Sequence, residues 1–321
     1  MSRWKNDMIC RTLQKVIYKK IYKGHRPNEW KPWKEPSETV LENGVVCRND
    51  LKYSEHYPNS FLDIWYPDAS GRKRPVVVYF HGGGFIFGDK TTGDPLAAGS
   101  GGSGKLMEIV RAGYILVNGN YALAPEYRFP SQIQQVDELF CFLMEHAEEL
   151  HLDMSRVCLS GGSAGADLTE IYGTCVCSVS YAKKLGVTPV MTRDNLKVLV
   201  VDEAALDASV FDGNMYAMLG CWTGAKKNRP EGENALINAK EFIEDTYIPT
   251  WVNASNEGGE EGFFIVEARG LKEKLDGMHV DCELVFFPGQ ELPHGYMDQY
   301  EKNPLARQAL DSMLRFIGKY L

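Results

Sequence analysis

The spacing of apolar positions changes character several times along the chain. Near the start, Ile9, Leu13, Val16, Ile17 and Ile21 recur at helical spacing among Arg11, Lys15, Lys19, Lys20 and Lys23, which predicts a basic amphipathic helix. Such a helix could lie on a membrane surface. The simpler reading is that it packs as a lid over the main body. A Trp- and Pro-rich connector, Trp30 to Pro36, follows it.

From residue 61 short apolar runs alternate with helical patterns. Phe61–Tyr66 and Pro75–Phe80 read as strands, the second with the near-continuous apolarity of a central one. Further strands are predicted at Tyr114–Asn118, Arg156–Leu159, Leu196–Val201, Ile248–Ala254 and Cys282–Phe287. Helices are predicted at Ser131–Leu150, Ala164–Leu185, Phe263–Leu275 and Pro304–Tyr320. Alternation of this kind predicts an α/β fold with a mostly parallel central sheet and helices on both faces. Functional sites in such sheets form at the carboxyl ends of the strands.

Composition narrows the chemistry. With 321 residues, 44% hydrophobic and 24% charged, the chain can bury a sizeable core as one domain with an N-terminal attachment. The net charge of −8 gives no reason to expect nucleic acid or an anionic membrane as partner. The eight cysteines lack zinc-site spacing and the density of a small secreted framework, so reduced thiols are expected; Cys175 and Cys177 are the one close pair. Residues 1–34 contain no apolar core of the signal-peptide kind, and no run approaches the roughly 18 apolar residues of a span. A cytoplasmic chain without stable membrane insertion is therefore expected, and its oligomeric state is left open. Gly99–Lys105 resembles a phosphate-binding loop, but Leu106 replaces the required Ser or Thr and no strand leads into it; a surface loop is expected there.

Three segments carry candidate chemistry. Gly161-Gly-Ser-Ala-Gly165 follows the strand at 156–159 and opens a helical segment, the setting of a nucleophile elbow, so Ser163 is the candidate nucleophile. Upstream, the strand ending at Phe80 runs into His81-Gly-Gly-Gly-Phe85, whose bare backbone can aim N–H groups at an oxyanion. A serine needs a base, and His294 lies on a loop between the last predicted strand and the last helix. His25, His56, His146, His151 and His279 fall in other segments, and His81 belongs to the glycine loop.

Together, His81–Asp89, Tyr121–Pro130, Gly161–Gly165 and Pro288-Gly…Pro-His-Gly295 resemble the bacterial hormone-sensitive-lipase-like esterases of the α/β-hydrolase superfamily, over roughly residues 60–321. The resemblance implies Ser163 as nucleophile, His294 as base and the N–H groups of Gly83, Gly84 and Ala164 as oxyanion hole. It implies a small-molecule ester as substrate and no metal or organic cofactor. It also implies an N-terminal cap, drawn here as residues 1–45, over a catalytic domain of residues 46–321. Tyr121–Pro130 is then architectural, with Glu126 bracing loops near the elbow.

The pattern breaks at the third member of the triad. The family's aspartate after the strand Pro249–Ala254 is absent, and the loop reads Ser255-Asn-Glu-Gly-Gly-Glu-Glu-Gly262. Glu257 is the expected substitute, with Glu261, Glu260 and Asp202 as alternates, Asp202 because some relatives place the acid after the preceding strand. A hydrolase-fold binding protein without a working triad is the competing expectation. A peptidase or deacetylase is a weaker one, since no gating domain is visible.

Overall fold

The computed structural model describes residues 3–22, 25–29, 37–41, 43–95, 97, 104–211, 213–224 and 232–321. The predicted connector at 30–36 and most of the glycine-rich segment 99–105 lie outside the described residues.

Two-residue alternation and β-branched runs build a nine-stranded sheet among the described residues, in the order β1-β2-β3-β5-β4-β6-β7-β8-β9. The strands are β1 (Glu38–Val40), β2 (Val46–Lys52), β3 (Phe61–Tyr66), β4 (Arg74–Phe80), β5 (Ile115–Gly119), β6 (Leu152–Gly162), β7 (Leu196–Asp202), β8 (Thr250–Asn253) and β9 (Cys282–Val285). Pairings among β1, β2, β3 and β5 are antiparallel, and every pairing from β5 through β4 to β9 is parallel. Val76, Val77 and Val78 of β4 are fully buried, as the apolar run requires of a strand covered on both faces.

Helices cover both faces. One layer holds α3 (Ser131–Glu145), α4 (Ala164–Cys177), α5 (Val179–Leu185) and α7 (Phe263–Gly277); the other holds α2 (Gly104–Arg111) and α8 (Pro304–Tyr320). The predicted helix 164–185 is two helices, because Ser178 interrupts the first and caps the second, accepting the N–H of Tyr181 at 3.2 Å. Neither β2, which reads Val-Cys-Arg-Asn-Asp-Leu-Lys, nor α6 (Gly213–Thr223) was expected. The first is too polar to read as a strand, and the second carries apolar residues without a polar face, so no period marks it.

The N-terminal helix α1 (Arg3–Lys20) forms as expected but turns a different face inward. Cys10, Gln14, Ile17 and Tyr18 are buried, whereas Ile9, Val16 and Ile21 are exposed. Gln14 decides the orientation. Its Nε2 donates to the carbonyls of Ile86 at 2.7 Å and Ala124 at 2.8 Å, bonds that a helix turned on its aliphatic stripe could not make. Asn28 extends the attachment, donating to the Leu123 carbonyl at 2.9 Å and to Glu126 at 3.2 Å. Glu126 thus braces the N-terminal segment. Helix α1 packs against α6.

Candidate active site

The carboxyl end of β6 feeds directly into α4, and the turn between them is Gly161-Gly-Ser-Ala-Gly165. Ser163 has φ 54° and ψ −123°, a conformation L residues rarely adopt, and its side chain makes no capping bond to α4. The backbone is too crowded for side chains on either side. A Cβ on Gly161 would lie 2.1 Å from the Gly165 carbonyl oxygen, and one on Gly165 would lie 2.0 Å from that of Phe80. The N–H of Ser163 donates to the Asp202 carbonyl at 2.8 Å, tying the turn to β7.

The loop after β4 approaches from the other side. Gly83 has φ +108°, and a Cβ there would lie 2.2 Å from the Phe87 carbonyl oxygen, so the expected N–H donor occupies a position that only glycine fits. Gly83, Gly84 and Ala164 line one chamber with Ser163 and His294. Ala164 opens α4, where the first N–H groups lack intrahelical acceptors. The chamber measures about 910 Å³ including its mouth and is walled largely by apolar side chains, among them Phe87, Phe211 and Phe264. Its cover is α6, which supplies Met215, Met218, Leu219 and Trp222. Helix α1 lines none of it and packs instead against α6.

His294 sits on the loop after β9, its ring stacked on Phe264 at 4.7 Å and 14°. The side chain facing its Nδ1 is Glu203, whose Oε2 lies 3.0 Å away without straight hydrogen-bond alignment. The same oxygen accepts the N–H of Gly295 at 2.7 Å, and the Glu203 side chain is 3% exposed. Burial alone would weaken the imidazole's hold on a proton; the charges of Glu203 and Asp94 outweigh it and hold His294 well above the ordinary histidine value. Burial raises the Glu203 carboxyl, but the imidazolium and the Gly295 N–H overcome that and leave it below its usual range.

None of the four expected acids faces the ring in this way. Glu257 borders the chamber, but its Oε2 accepts the backbone N–H of His294 at 3.3 Å. Glu260 pairs with Arg269 at 3.1 Å on the surface, and Glu261 is exposed. Asp202 turns to the other side of the sheet, where Lys105 Nζ lies 2.7 Å from its Oδ2 and Asn253 donates to its Oδ1 at 2.7 Å. The physical reason is the pleat. Consecutive residues leaving a strand point to opposite faces, so when Asp202 meets α2 its neighbour meets His294. Glu203 then has φ 65°, which ends β7. The signal available in the sequence was a pair of adjacent carboxylates at a strand's carboxyl end.

Lys105, expected in a surface loop, is instead a buried residue of α2. A further carboxyl borders the apolar chamber: Asp167, which burial pushes up to about 8 and which accepts the N–H of Ala205 at 2.7 Å. All eight cysteines are free, and no group of residues able to hold a metal ion is found among the described residues. Among those residues no helix is long and apolar enough to cross a membrane.

The mostly parallel sheet, the serine turn after β6 and the histidine loop after β9 define an α/β-hydrolase fold. The chain belongs to the BD-FAE family, whose model matches residues 62–250. Esterase B from Lactobacillus rhamnosis superposes with a TM-score of 0.72 at 19% identity, over 99% of this chain and 94% of that one. An esterase of the bacterial hormone-sensitive lipase family superposes at 0.64 with 19% identity, over 88% and 86%. In sequence, the chain is 32% identical to esterase LipI of Mycobacterium tuberculosis over 108 residues, which is 33% of this chain and 31% of that protein. It is 31% identical to human hormone-sensitive lipase over 108 residues, 33% of this chain and 9% of that protein. The chain thus aligns with under a third of the length of these relatives.

Proposed function

We propose that the protein is a serine carboxylic ester hydrolase acting on small esters of short to medium acyl chain. The observation that carries this reading is the convergence on one chamber of a serine in a strained elbow, a histidine with a buried carboxylate at Nδ1, and a glycine loop bordering both. Ser163 Oγ attacks the acyl carbonyl while His294 Nε2 takes its proton. Glu203 stabilises the imidazolium that results. The N–H groups of Gly83, Gly84 and Ala164 hold the oxyanion, each donor contributing roughly 3–4 kcal/mol to lowering the barrier. His294 returns the proton to the departing alkoxide, and water then cleaves the acyl-enzyme by the same steps. The apolar chamber under α6 takes the acyl chain, its Phe87, Phe211, Phe264, Met215 and Trp222 walls offering the hydrocarbon contact that such a chain gains on leaving water.

The named relatives, an esterase of M. tuberculosis and human hormone-sensitive lipase, support ester hydrolysis. The buried Glu203 carboxylate 3.0 Å from His294 Nδ1 supports a hydrolase over a binding protein on the same scaffold. Eight free cysteines suit a reducing compartment, so the cytoplasm is part of the proposal. The test is a fluorophosphonate probe with p-nitrophenyl esters of increasing length. Labelling and turnover that vanish in Ser163→Ala are expected; a folded wild type that neither labels nor hydrolyses any of the esters would refute the reading.

A further inference from the structure

A second, narrow recess also borders Ser163, with a cavity volume of only about 30 Å³, and its chemistry differs from that of the apolar chamber. Four carboxylates line it among the described residues: Asp94, Asp202, Glu203 and Asp298. Each of its two lysines is already shared between two carboxylates. Lys105 lies 2.7 Å from Asp202 and 3.3 Å from Asp298; Lys90 lies 2.9 Å from Asp50 and 2.7 Å from Asp63. Among the described residues only Asp94, Ser163 and His294 border both spaces, and Gly83, Gly84 and Ala164 border the apolar one alone. An ester whose carbonyl meets Ser163 with its acyl chain in the apolar chamber therefore presents its alcohol oxygen at the mouth of this recess, where Asp94 stands.

Asp94 stands at the junction. Its side chain is 9% exposed, and its Oδ2 lies 3.4 Å from His294 Nε2, the nitrogen on the far side of the ring from Glu203. The segment leading to it is anchored. The Asp89 carboxylate accepts the N–H groups of Thr91 at 2.6 Å and Thr92 at 3.0 Å, and the Thr92 hydroxyl meets that of Tyr22 from the N-terminal segment at 2.8 Å. The approach of Asp94 to the site also depends on Gly82, since a Cβ there would lie 2.8 Å from the Asp94 Cβ.

We propose that Asp94 is a specificity-determining residue that selects the alcohol half of the ester, favouring alcohols that carry a hydrogen-bond donor, hydroxyl or protonated amine, close to the ester oxygen and rejecting anionic ones. This rests on the esterase reading. As the bond between the acyl carbon and the alcohol oxygen breaks, the proton on Nε2 passes to that oxygen, so the leaving alcohol forms beside the Asp94 carboxylate. A donor on it then gains a charge-assisted hydrogen bond in the transition state, whereas a carboxylate on it meets like charge in a partly buried site.

Five butyrate esters test this: 2-hydroxyethyl against its isostere propyl, 2-(dimethylamino)ethyl against its isostere 3-methylbutyl, and the anionic butyryloxyacetate. For the wild type, kcat/KM should favour each donor ester over its isostere by roughly 10- to 100-fold, the range of one hydrogen bond to a charged group, with the anionic ester slowest. Asp94→Asn should abolish the preference for the ammonium ester and speed the anionic one relative to propyl, and Asp94→Ala should also abolish the hydroxyl preference. Should either variant not fold, the wild-type order decides, together with the fall of its ammonium preference as NaCl rises. Equal turnover of all five by the wild type, or an unchanged order in the folded variants, overturns the assignment while leaving the esterase reading intact. A wild type that hydrolyses none of them overturns both.

Discussion

Replacing Glu203 by glutamine tests the reading of the site most directly, because the exchange keeps the shape and removes the charge. Glu203 Oε2 lies 3.0 Å from His294 Nδ1, and both side chains are largely buried. At an effective dielectric constant of about 20, two unit charges at that separation attract by roughly 5.5 kcal/mol. At pH above the acid limb the resting base is neutral and the imidazolium exists only in the transition state, so most of that attraction lowers the barrier there. At 1.36 kcal/mol per decade it corresponds to about four decades of kcat, close to the roughly 10⁴-fold loss known when the triad carboxylate of a serine protease becomes an amide. Glu203→Gln should therefore lower kcat on p-nitrophenyl butyrate by about 10⁴ with little change in folding, since the amide oxygen can still accept the Gly295 N–H. The acid limb of kcat/KM should also move. A protonated His294 cannot accept the serine proton, and the carboxylates hold its pKa above the ordinary value, so removing one shifts the limb to lower pH. Glu257→Gln should cost under about 3-fold, because only its bond to a backbone N–H is affected and glutamine can keep it. A Glu203→Gln enzyme retaining over a tenth of wild-type kcat, or a Glu257→Gln enzyme falling as far, would refute the assignment.

Other consequences follow from the same geometry. Gly83→Ala, whose Cβ would lie 2.2 Å from the Phe87 carbonyl oxygen, must shift the oxyanion loop; kcat should fall by roughly 10²- to 10³-fold with KM nearly unchanged, and an unaltered kcat would remove that loop from the chemistry. Met218→Trp puts a larger side chain into the apolar chamber, so the ratio of p-nitrophenyl hexanoate to acetate turnover should drop at least about tenfold, and an unchanged ratio would place the acyl chain elsewhere. Gln14→Ala leaves the carbonyls of Ile86 and Ala124 without their donor and should lower the unfolding free energy by roughly 2 kcal/mol in denaturant titrations; no loss would mean that α1 is not anchored there. Asp167, pushed up to about 8 by burial, keeps its proton in the folded state over a range where the unfolded chain has lost it. It therefore contributes stability that is complete below the ordinary carboxyl range and is lost as pH rises toward about 8. Asp167→Asn should flatten that part of the profile of Tm against pH, and parallel profiles would show the group to be ionised throughout.

What the sequence disclosed and what it hid divide by the kind of signal each feature leaves. Central strands such as Arg74–Phe80 and strongly periodic helices such as Pro304–Tyr320 announce themselves, because burial on both faces or on one stripe constrains every residue in them. The serine turn is similarly legible, since backbone approaches near 2 Å at Gly161 and Gly165 demand glycine and leave a fixed spelling. Glu203 has no such spelling. It belongs to a strand terminus, and which of two neighbouring carboxylates faces the histidine depends on where the pleat ends, a matter of one residue. The expected acid loop misled for a related reason: Glu257 does reach His294, but at its backbone, so nearness along the chain brought the right segment and the wrong atom. Helix α1 errs in the same manner, its inward face set by one glutamine that reads as polar and surface-seeking until two unpaired carbonyls are put opposite it. Each miss involves a polar side chain buried against a partner distant in sequence. Hydrophobic periodicity reports how much surface an element hides, whereas the position of a charge or an amide inside is decided by the single group it must satisfy. The charges that face His294, Glu203 at Nδ1 and Asp94 at Nε2, are contacts of that second kind.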